Sequence, residues 1–412
     1  MKVLWFTPTP SLAEGHLNDS PVGGGWIKSL EKSIQNTVDL SVAFYHKKNI
    51  APFKYNNTSY FPIKKSKSST LLKIKKRIFS QLESEDDIAF FLKIIEEVKP
   101  DILHIHGTEF MYGLVQQYSK IPTVISIQGN ISVYTYKYFS GISFLDVLKY
   151  SRMKTWLSFQ TAINDYFLFR KQTIREQRIF SMSRNFIGRT DWDRRISSIL
   201  SPGSSYFHND EILRDSFYTA QWKNTLHPVL NLFTTNGPTI YKGIETILYC
   251  ASLLDRNNIR FNWQIAGIER TDEIVTIAAK GLGVNISEHL EFLGKVSEER
   301  LVEQLLKTHI YIATSHIENS PNSLCEALLL GVPCIATNAG GTSSLIKDGA
   351  DGIVIQDGDP YVMAGAIIEM QKNYMQAIAF GISARTRALL RHNKETIATG
   401  LIAIYAKIIK GN

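Results

Sequence analysis

Hydrophobic positions along the chain fall into short solid runs alternating with stretches of helical spacing. The first run is Lys2 to Phe6, followed by a long loop and then Ile27, Leu30 and Ile34 at helical spacing. Val38 to Tyr45 and Tyr60 to Ile63 are further strand-like runs. Ile88, Phe91, Leu92, Ile95 and Val98 then keep one helical face until Pro100, with Ser84 and Asp87 in the spacing of a capping box. Ile102 to His106 and Thr123 to Gln128 are strands ending at glycines, and two more short strands end at Gly188 and Asn209. Strand, helix and strand in this rhythm predict a parallel α/β sheet.

Periodicity fades from Asp215 to His227, and a second α/β series follows: Val229 to Thr235, Asn262 to Ala266, His289 to Leu293, Ile310 to Thr314, Pro333 to Thr337 and Gly352 to Ile355. Helices separate these strands, and the last one, about Glu395 to Ile409, carries Ile397, Leu401, Ile404, Tyr405 and Ile408 on one face. The pattern predicts domains over 1–220 and 221–395, with 396–412 as a final helix. A length of 412 residues agrees, since a single core rarely grows beyond about 250–300 residues.

The densest chemistry lies between His316 and Gly341. Glu318 sits in a turn rich in Ser, Asn and Pro, and Glu326 follows eight residues later. Between them the pattern turns helical, with Leu324, Ala327, Leu328 and Leu330 apolar and Gly331 and Pro333 ending the helix. A helix start offers unpaired N–H groups to phosphate, whereas carboxylates repel phosphate and suit hydroxyls. A ligand with both phosphates and sugars reconciles the two. Lys242, between Gly237 and Gly243, opens another helix carrying Ile244, Ile247, Leu248 and Ala251, and would reinforce the positive field at a diphosphate. It is not a P-loop, because the spacing and the following Ser or Thr are missing.

In the first half, Gly23, Gly24 and Gly25 form a glycine turn before a helix, a place where a ligand can approach the backbone closely. His106, Gln128 and Asn130 stand at the carboxyl ends of strands, where ligands of parallel sheets sit. His104 and His106 are read as facing opposite sides of their strand. Arg189, at the strand end after Gly188, could reach phosphate, or pair with Asp191 or Asp193.

Composition narrows the partners. The net charge of +8 favours an anionic partner. Residues 64 to 77 carry seven Lys or Arg and no acid, and Tyr134 to Phe159 mixes eight aromatics with Lys137, Lys149, Arg152 and Lys154. Both stretches suit an anionic membrane surface, and both suit ordinary solvent-facing or core-packed roles. No nucleic acid partner is expected. No apolar run is long enough to cross a membrane, and the start is too short for a signal-peptide core. Cys250, Cys325 and Cys334 include no C-x-x-C pair, so neither a disulfide framework nor a cysteine zinc site is expected, and a cytoplasmic setting fits.

The two α/β halves, the glycine-linked lysine and the run E-N-S-P-N-S-L-C-E-A-L-L-L-G-V-P-C-I-A-T-N-A-G-G resemble the retaining glycosyltransferases of the GT-B fold, the large family that includes sucrose synthases and bacterial mannosyltransferases. The match is specific over about residues 229 to 410. The resemblance implies two Rossmann-like domains with parallel sheets facing across a cleft. It implies that Glu326 binds a ribose diol, Glu318 binds the donor sugar, and Asn322, Ser323 and Leu324 approach phosphate and sugar. Gly237, Gly340 and Gly341 join the donor site, Lys242 binds the diphosphate, and Gly23 to Gly25, His106 and Gln128 lie on the acceptor side. The donor would be a UDP- or GDP-sugar, and the acceptor a saccharide or lipid-linked saccharide in polysaccharide biosynthesis, with no cofactor or metal. The setting implied is the cytoplasm, with the inner face of the membrane as a surface.

Three positions depart from the family: Pro238 replaces an arginine, Gln128 a histidine and Ser344 a glutamate. Arg189 is the expected substitute for the missing cation. Two carboxylates also serve glycosidases, which need them about 5–5.5 Å apart, whereas residues eight apart on a helix are about 12 Å apart. A nucleotide-sugar epimerase and a catalytically impaired sugar-binding homologue remain as alternatives.

Overall fold

A computed structural model describes residues 1–17, 25–64, 75–223 and 225–411. Gly23, Gly24 and most of the basic stretch, residues 65–74, lie outside the described residues. The chain forms two compact units. The first comprises residues 1–135, 167–214 and 392–412, and the second residues 136–166 and 215–391.

The first unit is built on one eight-stranded sheet. Its strands are β1 (Lys2–Thr7), β2 (Asp39–His46), β3 (Phe53–Tyr55), β4 (Thr58–Lys64), β5 (Ile102–His106), β6 (Thr123–Ser126), β7 (Asn185–Gly188) and β8 (Ser205–His208). They lie in the order β3-β4-β2-β1-β5-β6-β7-β8, all parallel except β3. Central β1 shows why solid apolar runs are needed here. Val3 and Trp5 join one core, while Leu4 and Phe6 join the other, so each face of the strand is covered.

The two cores recruit different helices. Helix Ile88–Val98 supplies Ile88, Phe91, Ile94 and Ile95 to the face of Leu4 and Phe6. Helix Gly25–Ile34 supplies Trp26, Ile27, Leu30 and Ile34 to the face of Val3 and Trp5. The final helix, Lys394–Lys410, packs into that same core through Ile397, Leu401, Ile404, Tyr405 and Ile408. Polar bonds secure this return, because the Tyr405 hydroxyl accepts from Trp5 Nε1 at 3.0 Å and is hydrogen-bonded to His104 Nδ1.

Several local expectations are corrected. His104 and His106 do not face opposite sides: residues two apart on a strand share a face, and their rings lie 3.9 Å apart. Ser84 accepts from the Asp86 N–H at 3.4 Å in a 3-10 turn, while Asp87 accepts from the Tyr45 hydroxyl, so the expected capping box is not formed. A capping box does form at Thr190 and Asp193. Residues 136–166, placed in the first domain by the sequence reading, belong to the second unit.

The second unit has a six-stranded, wholly parallel sheet. Its strands are β9 (Leu230–Thr235), β10 (Phe261–Ala266), β11 (Leu290–Gly294), β12 (Ile310–Ala313), β13 (Cys334–Thr337) and β14 (Ile353–Ile355), in the order β11-β10-β9-β12-β13-β14. The chain runs outward from β9 to β10 and β11, then returns to β12 on the other side. The carboxyl ends of β9 and β12 therefore flank a topological switch point, the preferred ligand position of such sheets.

Leu401 is 1% exposed and lies in a core that the last helix shares with residues from the first 215 or so. Leu401→Ala should destabilise the first unit by about 2–5 kcal/mol, measured as a lower urea midpoint for the transition that includes the fluorescence of Trp5 and Trp26.

Candidate functional site

Two loops at the switch point carry the charged groups. After β9 the chain runs through Asn236 and Gly237 into a 3-10 turn, Ile240–Lys242, and then into helix Ile244–Arg256. The Lys242 carbonyl accepts from Asn236 Nδ2 at 3.0 Å and from Thr314 Oγ1 at 2.9 Å, which ties the lysine to both strand ends. Gly243 has φ of 76°, and a Cβ there would lie 2.0 Å from the Thr314 carbonyl oxygen. Only glycine permits this approach.

After β12, residues Thr314 to Pro321 lead into helix Asn322–Leu330. Glu318 forms an ion pair with Lys242 and also accepts from Ser315 Oγ at 3.1 Å. The Glu318 carbonyl accepts from the Gly341 N–H at 2.9 Å, and a Cβ on Gly340 would lie 2.1 Å from that same oxygen. The glycine pair thus fixes the backbone of Glu318 from behind. Burial disfavours the Lys242 ammonium, but the charge and hydrogen bond of Glu318 outweigh it, so its pKa is raised.

Helix Asn322–Leu330 is capped by no side chain; the Leu324 and Cys325 N–H groups both donate to the Pro321 carbonyl, so the Asn322 and Ser323 amides stand at its open end. Asn322 Oδ1 is buried without a hydrogen-bond partner. Ser323 lies beside Asn322 at the same helix start, and Leu324 is wholly buried behind them. Glu326, 4% exposed, sits one turn further in and is already engaged by a neighbour. The structure thus brings Lys242, Glu318, Asn322, Ser323, Gly237, Gly340 and Gly341 to the carboxyl edge of one sheet, with Glu326 on the helix behind. An ammonium, a carboxylate and free amide groups together can hold a phosphate next to a hydroxyl-bearing group.

The acceptor-side candidates lie in the first unit. His106 is fully buried, and neither of its ring nitrogens has a partner. Its ring lies 4.5 Å from Trp5 and 5.5 Å from Trp26. Burial, then the charges of His104 and Arg189, hold its pKa well below the ordinary range, so the imidazole is neutral. Gln128 Nε2 and both amide atoms of Asn130 are also buried without partners. Gly25 begins its helix with the Arg214 side chain against it.

Arg189 also lies in the first unit. Its guanidinium pairs with Glu211 at 3.3 Å and covers the Trp26 ring at 4.1 Å. Of the two acids expected nearby, Asp193 accepts from the Arg189 backbone N–H at 3.0 Å.

Glu109 escaped the sequence reading. It follows the β5 strand end, and its carboxylate lies against Gly107, where a Cβ would be 2.0 Å from Oε2. Burial pushes its pKa up to about 7, against the pull of backbone N–H groups and Arg175. His316 was also missed as a candidate, and it lies between Glu245 and Asp357. No spacing rule announces either residue, because their partners are remote in sequence.

Two parallel-sheet units with these strand orders make the GT-B fold of glycosyltransferases. Over the whole chain the fold is similar to sucrose-phosphate synthase from Thermosynechococcus elongatus, with a TM-score of 0.74, 12% identity, and 100% and 99% of the two chains covered. It is also similar to Anabaena HepE solved with UDP and glucose, with a TM-score of 0.67, 12% identity, and 98% and 99% covered. Residues 237–387 match the family model described as "Glycosyl transferases group 1", so the second half carries a domain of that group. In sequence the chain is 28% identical to N-acetyl-alpha-D-glucosaminyl L-malate synthase of Bacillus anthracis over 34% of this chain and 36% of that one. It is 31% identical to D-inositol 3-phosphate glycosyltransferase of Geodermatophilus obscurus over 24% and 22% respectively. These matches span about a third or less of those relatives.

The raised acid gives a pH prediction. Glu109 ionises near its ordinary 4.5 when unfolded but near 7 when folded, so its carboxyl works increasingly against folding as pH rises between those values. Glu109→Gln should raise the melting temperature above that window and have little effect below it, as read by calorimetry at several pH values.

Proposed function

We propose that the protein moves a sugar from a nucleotide-diphosphate sugar to a hydroxyl of a saccharide or lipid-linked acceptor, with retention at the anomeric carbon. The observation that carries this reading is the Lys242–Glu318 pair, held beside the uncapped start of helix Asn322–Leu330. The group 1 match over residues 237–387 supports it. So does the Anabaena neighbour, which was solved with UDP-glucose.

The pair also suggests how the donor enters. In the structure described, Glu318 neutralises Lys242. A diphosphate arriving at the lysine competes for the ammonium, and Glu318 turns to the donor sugar's hydroxyls, where a carboxylate is a strong acceptor. As the bond from the anomeric carbon to phosphate breaks, charge grows on the diphosphate. Lys242 and the helix start stabilise that charge most in the transition state. The acceptor oxygen bonds to the anomeric carbon, and its proton passes to the leaving phosphate. Glu326 holds the ribose diol. In the first unit, the unpartnered polar atoms of His106, Gln128 and Asn130 serve acceptor hydroxyls.

One observation favours a second reading, a sugar-binding homologue with impaired turnover. Pro238 stands where the family has an arginine, and Arg189 must break its pair with Glu211 before it can serve another anion. Acceptor-dependent release of nucleoside diphosphate supports transfer, its absence with retained nucleotide binding supports the homologue, and isomerisation of donor alone indicates an epimerase.

A membrane surface is proposed as a further partner, with the inner face of the membrane as its setting. Among the described residues, no helix is long and apolar enough to cross a membrane. In residues 136–166, however, Tyr136, Leu145, Met153 and Leu157 are each more than 70% exposed beside Lys149, Arg152 and Lys154. Apolar side chains among cations suit anionic head groups.

Thermal shifts with UDP, GDP, ADP and their sugars test the donor reading, since ligand at 100 times its Kd should add about 2.7 kcal/mol. No shift with any of them overturns it. Glu326→Ala should weaken nucleotide binding, whereas Glu318→Gln should spare it and lower turnover. For the membrane proposal, the protein should co-sediment with vesicles containing phosphatidylserine at low salt and dissociate at high salt; failure to bind at low salt sinks it.

A further inference from the structure

His316 is 2% exposed and lies between two carboxylates from different parts of the second unit. Its Nε2 is 2.7 Å from Glu245 Oε1, and its Nδ1 is 3.4 Å from Asp357 Oδ2. Glu245 stands in the first turn of helix Ile244–Arg256, which follows Lys242 and Gly243, while Asp357 follows β14. The His316 backbone N–H donates to the Tyr241 carbonyl at 2.9 Å. His316 thus links the turn before Glu318 to the turn that ends at Lys242.

A third stretch closes over this link. The first part of segment 136–166 passes directly across the histidine–glutamate bond. A Cβ on Gly141 would lie 2.3 Å from both His316 Nε2 and Glu245 Oε1, so the backbone there is in contact with the pair. Lys137 reaches Asp357 at 3.3 Å, and the Tyr138 ring lies 6.0 Å from that of Tyr241. Nothing in the sequence reading or in the proposed donor chemistry uses His316, Glu245, Asp357 or Gly141.

We infer that His316 is a positioning residue: by bridging Glu245 and Asp357 against Gly141, it fastens residues 136–143 to the second unit and holds the Glu318 turn against the Lys242 turn. Its effect on turnover rests on the donor reading above; its hold on residues 136–143 does not.

The chemistry makes the link depend on a proton. An imidazolium donates from both nitrogens and satisfies both carboxylates at once. A neutral imidazole has one N–H, so one ring nitrogen becomes an acceptor facing a carboxylate, and that contact turns repulsive. The charged groups facing the ring are Glu245 from the helix, Asp357 from the loop after β14 and, through Asp357, Lys137; Gly141 and Gly358 bring none. Burial opposes the charged ring, but the two acids outweigh it and raise its pKa above the ordinary 6.5. A raised histidine contributes fully below its unfolded pKa and loses its contribution as pH climbs through the folded one. The fastening is therefore intact at mildly acid pH and weakens as pH climbs through the folded pKa.

Hydrogen exchange of residues 136–143 tests this on the full chain. At about pH 6 the exchange of this segment in His316→Gln should be at least about tenfold faster than in wild type, the factor expected when one charge-assisted hydrogen bond is lost. Towards about pH 9 the gap between the two proteins should narrow, because rising pH favours the neutral wild-type ring. Gly141→Ala, which wedges the segment away without altering any charge, should exchange fast at both pH values. Equal protection of wild type and His316→Gln at about pH 6, with matching circular dichroism, overturns the inference. If His316→Gln does not fold, wild type against Gly141→Ala decides, with equal protection at about pH 6 overturning it. A parallel titration with UDP and GDP separates the two readings. Weaker nucleotide binding by wild type at the higher pH, with a flat profile in His316→Gln, supports the positioning role. Binding of neither nucleotide by wild type at either pH removes the donor reading and leaves the exchange result to stand alone.

Discussion

The second unit depends on placing one ammonium and one carboxylate together on separate strand-end loops. Lys242 and Glu318 are 76 residues apart, and each is held mainly by its backbone. The Lys242 carbonyl takes two side-chain donors, and the Glu318 carbonyl takes the Gly341 N–H. The backbone positions of the two charged residues are thereby fixed, so that only their side chains need turn to exchange one partner for another. This fixing also explains the glycines. Gly243 and Gly340 are each pressed against a carbonyl oxygen, where any Cβ would push the charged groups apart.

Much of this was legible because it is local. The alternation of solid apolar runs and helical spacing reports a parallel sheet directly, and strand ends marked by glycine locate its carboxyl edge. The run from Glu318 to Gly341 announces a helix start, a helix end and a glycine turn within a short stretch, and the structure has all three. Lys242 was legible because glycines flank it at the opening of a helix.

The rest was hidden because it depends on pairings remote in sequence. The His316 link joins positions near 140, 245, 316 and 357, and no period or spacing connects them. Segment 136–166 has a composition that suits several environments, so its membership of the second unit is settled by Lys137, Gly141 and Arg152 finding partners there, with Arg152 donating to the Thr271 carbonyl at 2.6 Å. Arg189 likewise has nearby acids at 191 and 193, yet its guanidinium finds Glu211, which only the fold brings close. The opposite-side reading of His104 and His106 failed for a simpler reason: the period of a strand is two, and both side chains follow it.

The return of the last helix has a consequence for assembly. The first unit draws Ile397, Leu401, Ile404, Tyr405 and Ile408 into the core that contains Val3 and Trp5, so its hydrophobic interior spans nearly the whole chain. A ribosome that has made residues 1–214 has delivered both sheet faces but only one of the two helices that pack on the face of Val3 and Trp5. The six-stranded sheet, by contrast, has all its strands between residues 230 and 355. Long-range contacts form late because their loops are costly to close. The unit encoded first is therefore the unit completed last, and the apolar face around Trp5 has only helix Gly25–Ile34 as cover until helix Lys394–Lys410 has left the ribosome.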